Sequence, residues 1–203
     1  PAVLAEAKNQ WIDAIDASAA SGLVAFSYGR SLSVIDPNDT GFRRDFQHER
    51  TVSGVAFEPK GRRIATSTYG GAALWYARIE KQQPTLLKWA GSHTGVTISP
   101  DGAFVAYAVN EAGVSRLRVM DAASGRTRTV GGLPAGVIPY SIGPAIQIAP
   151  WGAIGLSMSS ARTPGDAFSV DPETLAVTQW THSETGGLDP SVNIEPTLIE
   201  IPS

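Results

Sequence analysis

An all-β fold, organised as a β-propeller, is predicted by a hairpin motif that recurs along the chain. The clearest copy is the Ser-Pro-Asp-Gly turn at residues 99–102, where proline presets φ and Gly102 supplies the positive φ that reverses the chain. Apolar runs on both sides of the turn predict two strands. The hairpin glycines are 39, 41 and 50 residues apart, a spacing typical of propeller units with several short strands; they are Gly22, Gly61, Gly102 and Gly152.

The composition of the 203-residue chain suits many short strands and turns, with 21 glycines, 14 prolines and only 17% charged residues. A net charge of −3 offers no basic surface to a polyanion, so nucleic-acid binding is not expected. The lack of cysteine excludes disulfides and cysteine-bound zinc. No apolar run approaches the roughly 20 residues that span a bilayer. We therefore expect no membrane contact and a soluble chain, in the cytoplasm rather than secreted, although the compartment stays open.

Each unit is predicted to contain four antiparallel strands. Small and β-branched residues crowd the inner strands, as at 55–56, 64–66 and 105–106, which suits strands packed on both faces. An antiparallel sandwich is the alternative, but it gives no reason for the period. The predicted strands are 11–17, 22–28, 31–36 and 42–47; then 52–57, 63–68, 72–78 and 85–89; then 94–98, 103–109, 114–120 and 126–130; and finally 145–148, 153–159, 167–170 and 176–181.

The two halves of the chain resemble different propellers. In residues 1–102, the strand endings at 32–36 and 73–76 and the Gly-Ser-His run at 91–93 resemble WD40-type bacterial repeats. In residues 103–203, the runs at 105–117, 180–184, 187–190 and 195–203 resemble the propeller of prolyl-oligopeptidase-like serine peptidases, the S9 group. In that group such a tail leads into the hydrolase domain. No single family explains both halves, so the sequence suggests a chimera joined near residues 99–102, natural or engineered.

No catalytic site is expected. A nucleophile elbow needs Gly-x-Ser-x-Gly on a strand-to-helix turn, and the nearest string, residues 155–159, lacks the closing glycine and lies in a predicted strand. The three histidines, His48, His93 and His182, each follow the fourth strand of a unit. Three histidines on one face could bind a metal, but local bonding within each connection is favoured because neighbouring units separate them. The sequence predicts no enzyme, no metal and no cofactor.

The loops between second and third strands are the predicted binding surface, because they should ring a central channel. One residue from each loop is the binding candidate, and plain turn chemistry is the alternative reason for its presence; the four candidates are Arg30, Tyr69, Asn110 and Arg162. The five tryptophans are scattered within the units, so packing is favoured over an aromatic ligand cage, with Trp151 partly exposed at a hairpin.

The number of units predicts self-assembly. Residues 1–203 are expected to form a single propeller or half-propeller, and an open arc of four units leaves an apolar end face uncovered. Two chains closing an eight-bladed ring with twofold symmetry is the preferred solution. A monomer of four blades, or of five if residues 1–9 and 197–201 combine, is the alternative. The expected function is a non-enzymatic scaffold that self-assembles and binds a peptide or protein; the alternative is an excised substrate-gating propeller of an S9-type peptidase without its hydrolase domain.

Overall fold

Short antiparallel strands make up the chain in a computed structural model, which describes residues 3, 5–7, 9–139 and 145–199, without the side chains of 87–91. A 3-10 turn, Pro190–Val192, is the helical segment of this described part. The strands are β1 (Ala14–Ala17), β2 (Val24–Tyr28), β3 (Ser31–Asp36), β4 (Asp39–Gln47), β5 (Val52–Phe57), β6 (Arg63–Tyr76), β7 (Thr85–Ile98), β8 (Phe104–Glu111), β9 (Val114–Asp121), β10 (Thr127–Thr129), β11 (Gly136–Val137), β12 (Ile146–Ile148), β13 (Ile154–Ser160), β14 (Thr163–Val170) and β15 (Val177–Gln179).

The first sheet, unit 1, contains β1 to β4 in chain order. The chain reverses at Gly22 and Gly29, whose φ angles of +72° and +54° lie in the left-handed region that glycine adopts without strain. Ala25 and Val34 stand opposite each other on β2 and β3 and are both buried, so one face of the sheet is apolar. The predicted antiparallel strands of this segment are confirmed.

β6 is a hairpin, although its strand residues run without interruption from Arg63 to Tyr76. Its 14 residues would span roughly 46 Å if straight, yet the Ala77 N–H donates to the Arg62 carbonyl at 2.8 Å across its two ends. Gly70, at φ +90°, makes the reversal. The Thr66 hydroxyl donates across the hairpin to the Ala73 carbonyl at 3.4 Å. The two arms of β6 are therefore the predicted strands 63–68 and 72–78, the second of which ends two residues earlier, at Tyr76.

β7 passes from one sheet segment into the next. Its first part pairs with β6, with Thr85 opposite Leu74, and its second part pairs with β8, with Ile98 opposite Val105. The predicted strands 85–89 and 94–98 are thus one element, because Ser92 pairs with partners on both sides and leaves no unpaired turn. The sheet formed by β5 to β10 therefore holds two four-stranded units: unit 2 ends, and unit 3 begins, within β7.

Unit 4 contains β11 to β15 and has one strand that the sequence did not predict. β12 to β15 follow the expected order, while β11 comes from the connection that we predicted as a loop and pairs with β13 beside β12. A Cβ on Gly136 would lie 2.2 Å from the Ser159 carbonyl oxygen, so the close pairing requires glycine there. Residues 140–144 of the same connection lie outside the described part of the chain.

The apolar core lies between successive units rather than inside one of them. One cluster joins units 1 and 2, a second joins units 2 and 3, and a third joins units 3 and 4. The first strands of the units lie side by side in the order β1, β5, second part of β7, β12. Gly54 permits this approach, since an added Cβ would stand 3.4 Å from Val96 Cγ1 and 2.6 Å from Ser67 Oγ. The described residues do not form a closed ring.

The chain ends, predicted as a possible fifth blade, form no strand where the structure describes them. Residues 3, 5–7, 9 and 197–199 are irregular, and Leu198 and Ile199 are exposed. The remaining residues of this prediction, 1, 2, 4, 8, 200 and 201, lie outside the described part. Within the described part of the chain, no helix is long and apolar enough to cross a membrane.

Candidate functional site

Two of the four predicted binding residues, Tyr69 and Asn110, lie on the two strands that flank β7. Tyr69 pairs with Ser92 of β7, and Ser92 pairs with Asn110 of β8 on its other side. Strands in a sheet are about 4.8 Å apart, so the backbones of Tyr69 and Asn110 are separated by about 10 Å. Tyr69 is 61% exposed, whereas Asn110 Oδ1 accepts a hydrogen bond from the Gly113 N–H at 3.0 Å. Asn110 therefore serves its own turn, and Tyr69 is the more available side chain.

The two predicted arginines stand in different surroundings. Arg30 is exposed in the turn between β2 and β3, and its carbonyl accepts the backbone N–H of His48 at 2.9 Å. Arg162 is exposed between β13 and β14, and its Nε lies 3.1 Å from Glu195 Oε1 of the C-terminal tail. An ion pair this exposed contributes little stability, since water and salt screen it. Arg162 nevertheless brings the turn into contact with the tail, and the sequence did not indicate this long-range contact.

The histidines occupy three unlike environments. His48 Nε2 lies 3.0 Å from Thr66 Oγ1 and accepts from the Trp75 indole N–H at 3.2 Å. Burial lowers the pKa of His48 below its ordinary value, so the ring is neutral at pH 7. His93 is fully buried and stacks on Tyr107, while His182 is exposed. Within the described part of the chain, no three His, Asp or Glu side chains group as metal ligands.

A buried carboxylate that sequence reasoning missed lies at the centre of unit 4. Asp166 Oδ2 accepts from Thr163 Oγ1 at 2.6 Å and from Gln179 Nε2 at 3.1 Å, and Oδ1 accepts from Thr181 Oγ1 at 3.1 Å and from the Ser183 N–H at 2.7 Å. These hydrogen bonds, that from Thr163 first, lower the pKa of Asp166 to about 2. The sequence carries a Gly-Asp pair at residues 165–166, just before the predicted strand 167–170. This pair lies inside β14, which begins at Thr163, and an aspartate within a strand was the available signal.

A groove of about 460 Å³ lies beside this carboxylate and includes Arg162 and His182 in its lining. Asp166 also lines it, but four donors already occupy the carboxylate oxygens. The groove therefore presents the guanidinium of Arg162, which is paired with Glu195, and the imidazole of His182 beside an apolar wall that includes Leu133 and Phe168. No catalytic pair is built from these groups, since no nucleophile among the described residues is hydrogen-bonded to His182.

A second groove, of about 320 Å³, lies at the opposite end of the strands, between the hairpins of units 3 and 4. β8 begins near this groove and ends at the turn that contains Asn110, so the predicted binding loops do not contribute to it. Three carboxylate residues and three prolines line it together with Phe104 and the hairpin residue Trp151. We call this the hairpin groove; its residues are Ser99, Pro100, Asp101, Phe104, Pro150, Trp151, Gly152, Asp171, Pro172 and Glu173.

The hairpin groove is open because the third junction lacks the contacts that fill the first two. A Cβ on Gly61 would lie 2.3 Å from Ser18 Oγ of the unit 1 hairpin, and a Cβ on Gly102 would lie 3.3 Å from Arg63 Nη2 of unit 2. A Cβ on Gly152, the corresponding glycine of unit 4, meets nothing within 4 Å. The same position of the repeat is therefore packed twice and left open once.

Comparison with known proteins supports the fold but assigns no family. No protein-family model and no curated protein matches the chain. Among solved structures, the chain is similar to Kuenenia stuttgartiensis hydrazine synthase, with a TM-score of 0.61 and 16% sequence identity over 82% of this chain and 47% of that chain. The chain thus spans about half the length of that structure. At this identity the likeness concerns the fold alone, which agrees with the all-β prediction.

Proposed function

We propose that the chain is a non-enzymatic β-propeller segment of four blades, a scaffold that assembles with a second copy of itself. Units 1 to 4 are the blades in this proposal, and their first strands lie in consecutive order as the inner strands of a propeller do. The likeness to the hydrazine synthase structure, at a TM-score of 0.61, supports the all-β part of this interpretation. An enzymatic role has no support from the side-chain geometry of the described residues.

The contacts of His48 and Trp75 support a WD40-type origin of the first half. WD40 repeats are marked by a Gly-His pair and, later in the repeat, a Trp-Asp pair. Here His48 follows the last strand of unit 1, and Trp75, on the second arm of β6, donates to it while also lying 3.2 Å from Thr66 Oγ1. Tyr76 replaces the aspartate of the signature. The comparable contact in unit 3 is His93 on Tyr107, without a tryptophan.

Self-assembly is proposed from the two end faces of the arc. The face of unit 1 turned away from unit 2 carries Ile15, which is 67% exposed, and Trp11, just before β1, is 89% exposed. The face of unit 4 turned away from unit 3 carries the small residues Gly155, Ser157 and Ser169, together with the exposed Trp180, whose indole N–H donates to Ser169 Oγ at 2.8 Å. Small residues allow a neighbouring sheet to approach closely, as Gly54 does between units 2 and 3. Bulky side chains of one copy would then pack on the small-residue face of the other.

Such a contact is head-to-tail, and made twice it closes a ring of two chains with twofold symmetry. Light scattering over a dilution series tests it: we expect a mass of about twice the 21.3 kDa of one chain. Ile15→Glu places a charge in the proposed contact and should give single chains. Ile79→Glu, at another exposed isoleucine, is the matched control and should leave the mass unchanged. A wild-type mass of one chain at every concentration would overturn the proposal.

A second candidate function is the gating propeller of an S9-type peptidase, and the C-terminal tail favours it. Asn193 Nδ2 donates to the Ala161 carbonyl at 2.8 Å, and Arg162 pairs with Glu195, so the tail is fixed to one end of unit 4. Beyond these contacts the apolar side chains of Ile194, Leu198 and Ile199 are exposed, as a surface that a further domain could cover. A hydrolase sequence with Gly-x-Ser-x-Gly following residue 203 in the gene would favour this candidate; its absence would remove it.

A further inference from the structure

The contact between units 2 and 3 shows what can fill the space between neighbouring hairpins. Arg63 stands two residues after the hairpin glycine of unit 2. Its Nε donates to Glu58 Oε2 at 2.8 Å, and its Nη2 donates to the Gly102 carbonyl of the unit 3 hairpin at 3.3 Å. The Glu58 side chain is almost fully buried in this contact. A guanidinium group therefore bridges one hairpin to the next and satisfies both a carboxylate and a hairpin carbonyl.

The corresponding bridge is missing between units 3 and 4. Phe104 occupies the position two residues after Gly102 that Arg63 occupies after Gly61, and its ring has no donor for the hairpin of unit 4. The space stays open as the hairpin groove, with Phe104 in its wall and Gly152 at its edge. Ser99 stands at the position of Glu58, so this junction lacks both partners of the earlier ion pair, and the carboxylates of its groove come from other positions of the repeat.

The walls of the hairpin groove suit the same chemical group that fills the earlier junction. Its carboxylate residues are Asp101, Asp171 and Glu173, and its apolar walls include Phe104 and Trp151. The turn hydrogen bonds of Asp101 and Asp171 end on Oδ1 of each carboxylate, at 2.6–2.9 Å, which leaves Oδ2 to face a ligand. The guanidinium group of arginine stacks on aromatic faces and binds carboxylates through two parallel hydrogen bonds. Lysine offers only a point charge with a full hydration shell, so it fits an aromatic and acidic groove less well.

Trp151 has no role in the fold that would explain its place. It lies at the tip of the unit 4 hairpin and is 81% exposed. The residues directly before the hairpin glycines of the other units are all polar: Ser21, Lys60 and Asp101. A polar residue evidently suffices for the turn, and in unit 4 a large aromatic ring takes that place at the edge of an open groove.

We propose that the hairpin groove binds an arginine side chain of a partner protein, presented on an extended peptide. The guanidinium group would lie between Trp151 and the carboxylates and would bridge the two hairpins, as Arg63 does between units 2 and 3. A groove of about 320 Å³ is of the size that one such side chain with its adjoining backbone fills. The site goes beyond self-assembly and lies at the opposite end of the strands from Tyr69 and Asn110.

Arg128 forms the nearby positive charge, and it holds the wall of the groove rather than filling it. Its Nη1 donates to the Glu173 carbonyl at 2.6 Å and its Nη2 donates to the Pro172 carbonyl at 2.5 Å. These bonds fix the turn that carries Asp171 and Glu173 against β10 of unit 3. Three carboxylates against one guanidinium leave the groove net negative, which is the charge that an arginine needs.

The test is a titration of the ¹⁵N-labelled full chain with the peptide acetyl-Gly-Arg-Gly-amide, followed by nuclear magnetic resonance. The reporters are the Trp151 indole N–H and the backbone N–H of Gly152. We expect both signals to move and saturate with the arginine peptide. The lysine peptide should bind about threefold more weakly, because it loses the stacked planar group, and the glutamine peptide should leave both signals in place. Equal shifts with the glutamine peptide would overturn the proposal.

Two variants sharpen the test without touching the turn bonds. Glu173→Gln removes one carboxylate but keeps the carbonyl that Arg128 binds, and Trp151→Ser introduces a residue that unit 1 already carries at this position. Each should weaken the arginine peptide about threefold or more, read at Gly152. Tyr76→Ser, at an exposed aromatic residue of unit 2, is the control and should bind as the wild type does. Unchanged affinity in both groove variants would exclude the hairpin groove as the binding site.

Discussion

The junction between units 1 and 2 and the junction between units 3 and 4 are held in different ways. In the first, polar side chains of one unit bind the backbone of the next: Asp16 Oδ2 accepts the Phe57 N–H at 2.7 Å, and Ser27 Oγ donates to the Val52 carbonyl at 3.3 Å. In the second, the inner contacts are apolar and include the fully buried Leu117 and Met158, and side-chain-to-backbone bonds come from Arg128 on the outer strand β10. Polar bonds of this kind fix the register of two units, whereas apolar burial contributes more of the free energy.

The difference explains where the surface of the molecule is closed and where it is open. At the first junction the hairpins touch, because Gly61 lies directly against Ser18 and Ser21. At the last junction the apolar cluster holds the sheets together below the hairpins, so the hairpins themselves need not touch and the groove remains. A junction that is held by its apolar cluster can leave the space between its hairpins open to a ligand.

The largest effect is expected from Leu117→Ala, which breaks the apolar junction. Leu117 belongs to the cluster between units 3 and 4 and has no exposed surface. Truncation of a buried leucine leaves a cavity and should lower the free energy of unfolding by about 2–5 kcal/mol. Urea denaturation measures the change, with Leu188→Ala at an exposed leucine as the control, expected within about 0.5 kcal/mol of wild type. A loss for Leu117→Ala as small as that of the control would contradict the role given to the cluster.

A smaller effect is expected from Trp75→Phe, which breaks the polar network of the first half. The variant keeps an aromatic ring against Phe46 but removes the N–H that Trp75 donates to His48 and Thr66. A loss of about 1–2 kcal/mol follows from the buried acceptors that remain without this donor. Trp180→Phe is the matched control, since it removes an exposed indole bond to Ser169. Equal losses for the two variants would show that the buried network adds nothing beyond packing.

The smallest effect is expected from the titration of Asp166, because its carboxylate changes charge only in acid and stays ionised at neutral pH. Its folded-state pKa of about 2 lies below the ordinary 3.8, so the ionised form stabilises the fold above pH 4. This contribution is lost as the pH falls from about 4 towards 2, and is constant between pH 5 and 7. Thermal unfolding across this range measures it, with Asp166→Asn as the comparison. A variant that loses as much stability between pH 4 and 2 as the wild type would refute this assignment.

The local features of the fold were predictable because turn chemistry and strand patterns act over a few residues. Gly22, Gly61, Gly102 and Gly152 all adopt the positive φ that the hairpin motif requires. The long-range features were not predictable in the same way. β11 depends on the approach of Gly136 to Ser159, and the continuity of β7 depends on partners for Ser92 on both sides.

The candidate site was predictable only in part. The sequence placed Tyr69 and Asn110 in turns of the same kind, and the structure puts their strands on either side of β7. Nothing in the sequence indicated that Glu195 would pair with Arg162, or that the Asp166 carboxylate would accept four hydrogen bonds, because those partners come from separate segments. The hairpin groove also escaped notice, although a tryptophan at one hairpin tip against polar residues at the others was a readable signal.

The turn at residues 99–102 divides unit 3 between the two halves of the chain. The first strand of that unit, the end of β7, comes from before the turn, and the other three come from after it. A break at this turn would therefore divide a sheet and leave a lone strand on one side and an open edge on the other. The backbone pairing of β7 with β8 thus ties the residues before the turn to the residues after it within one unit.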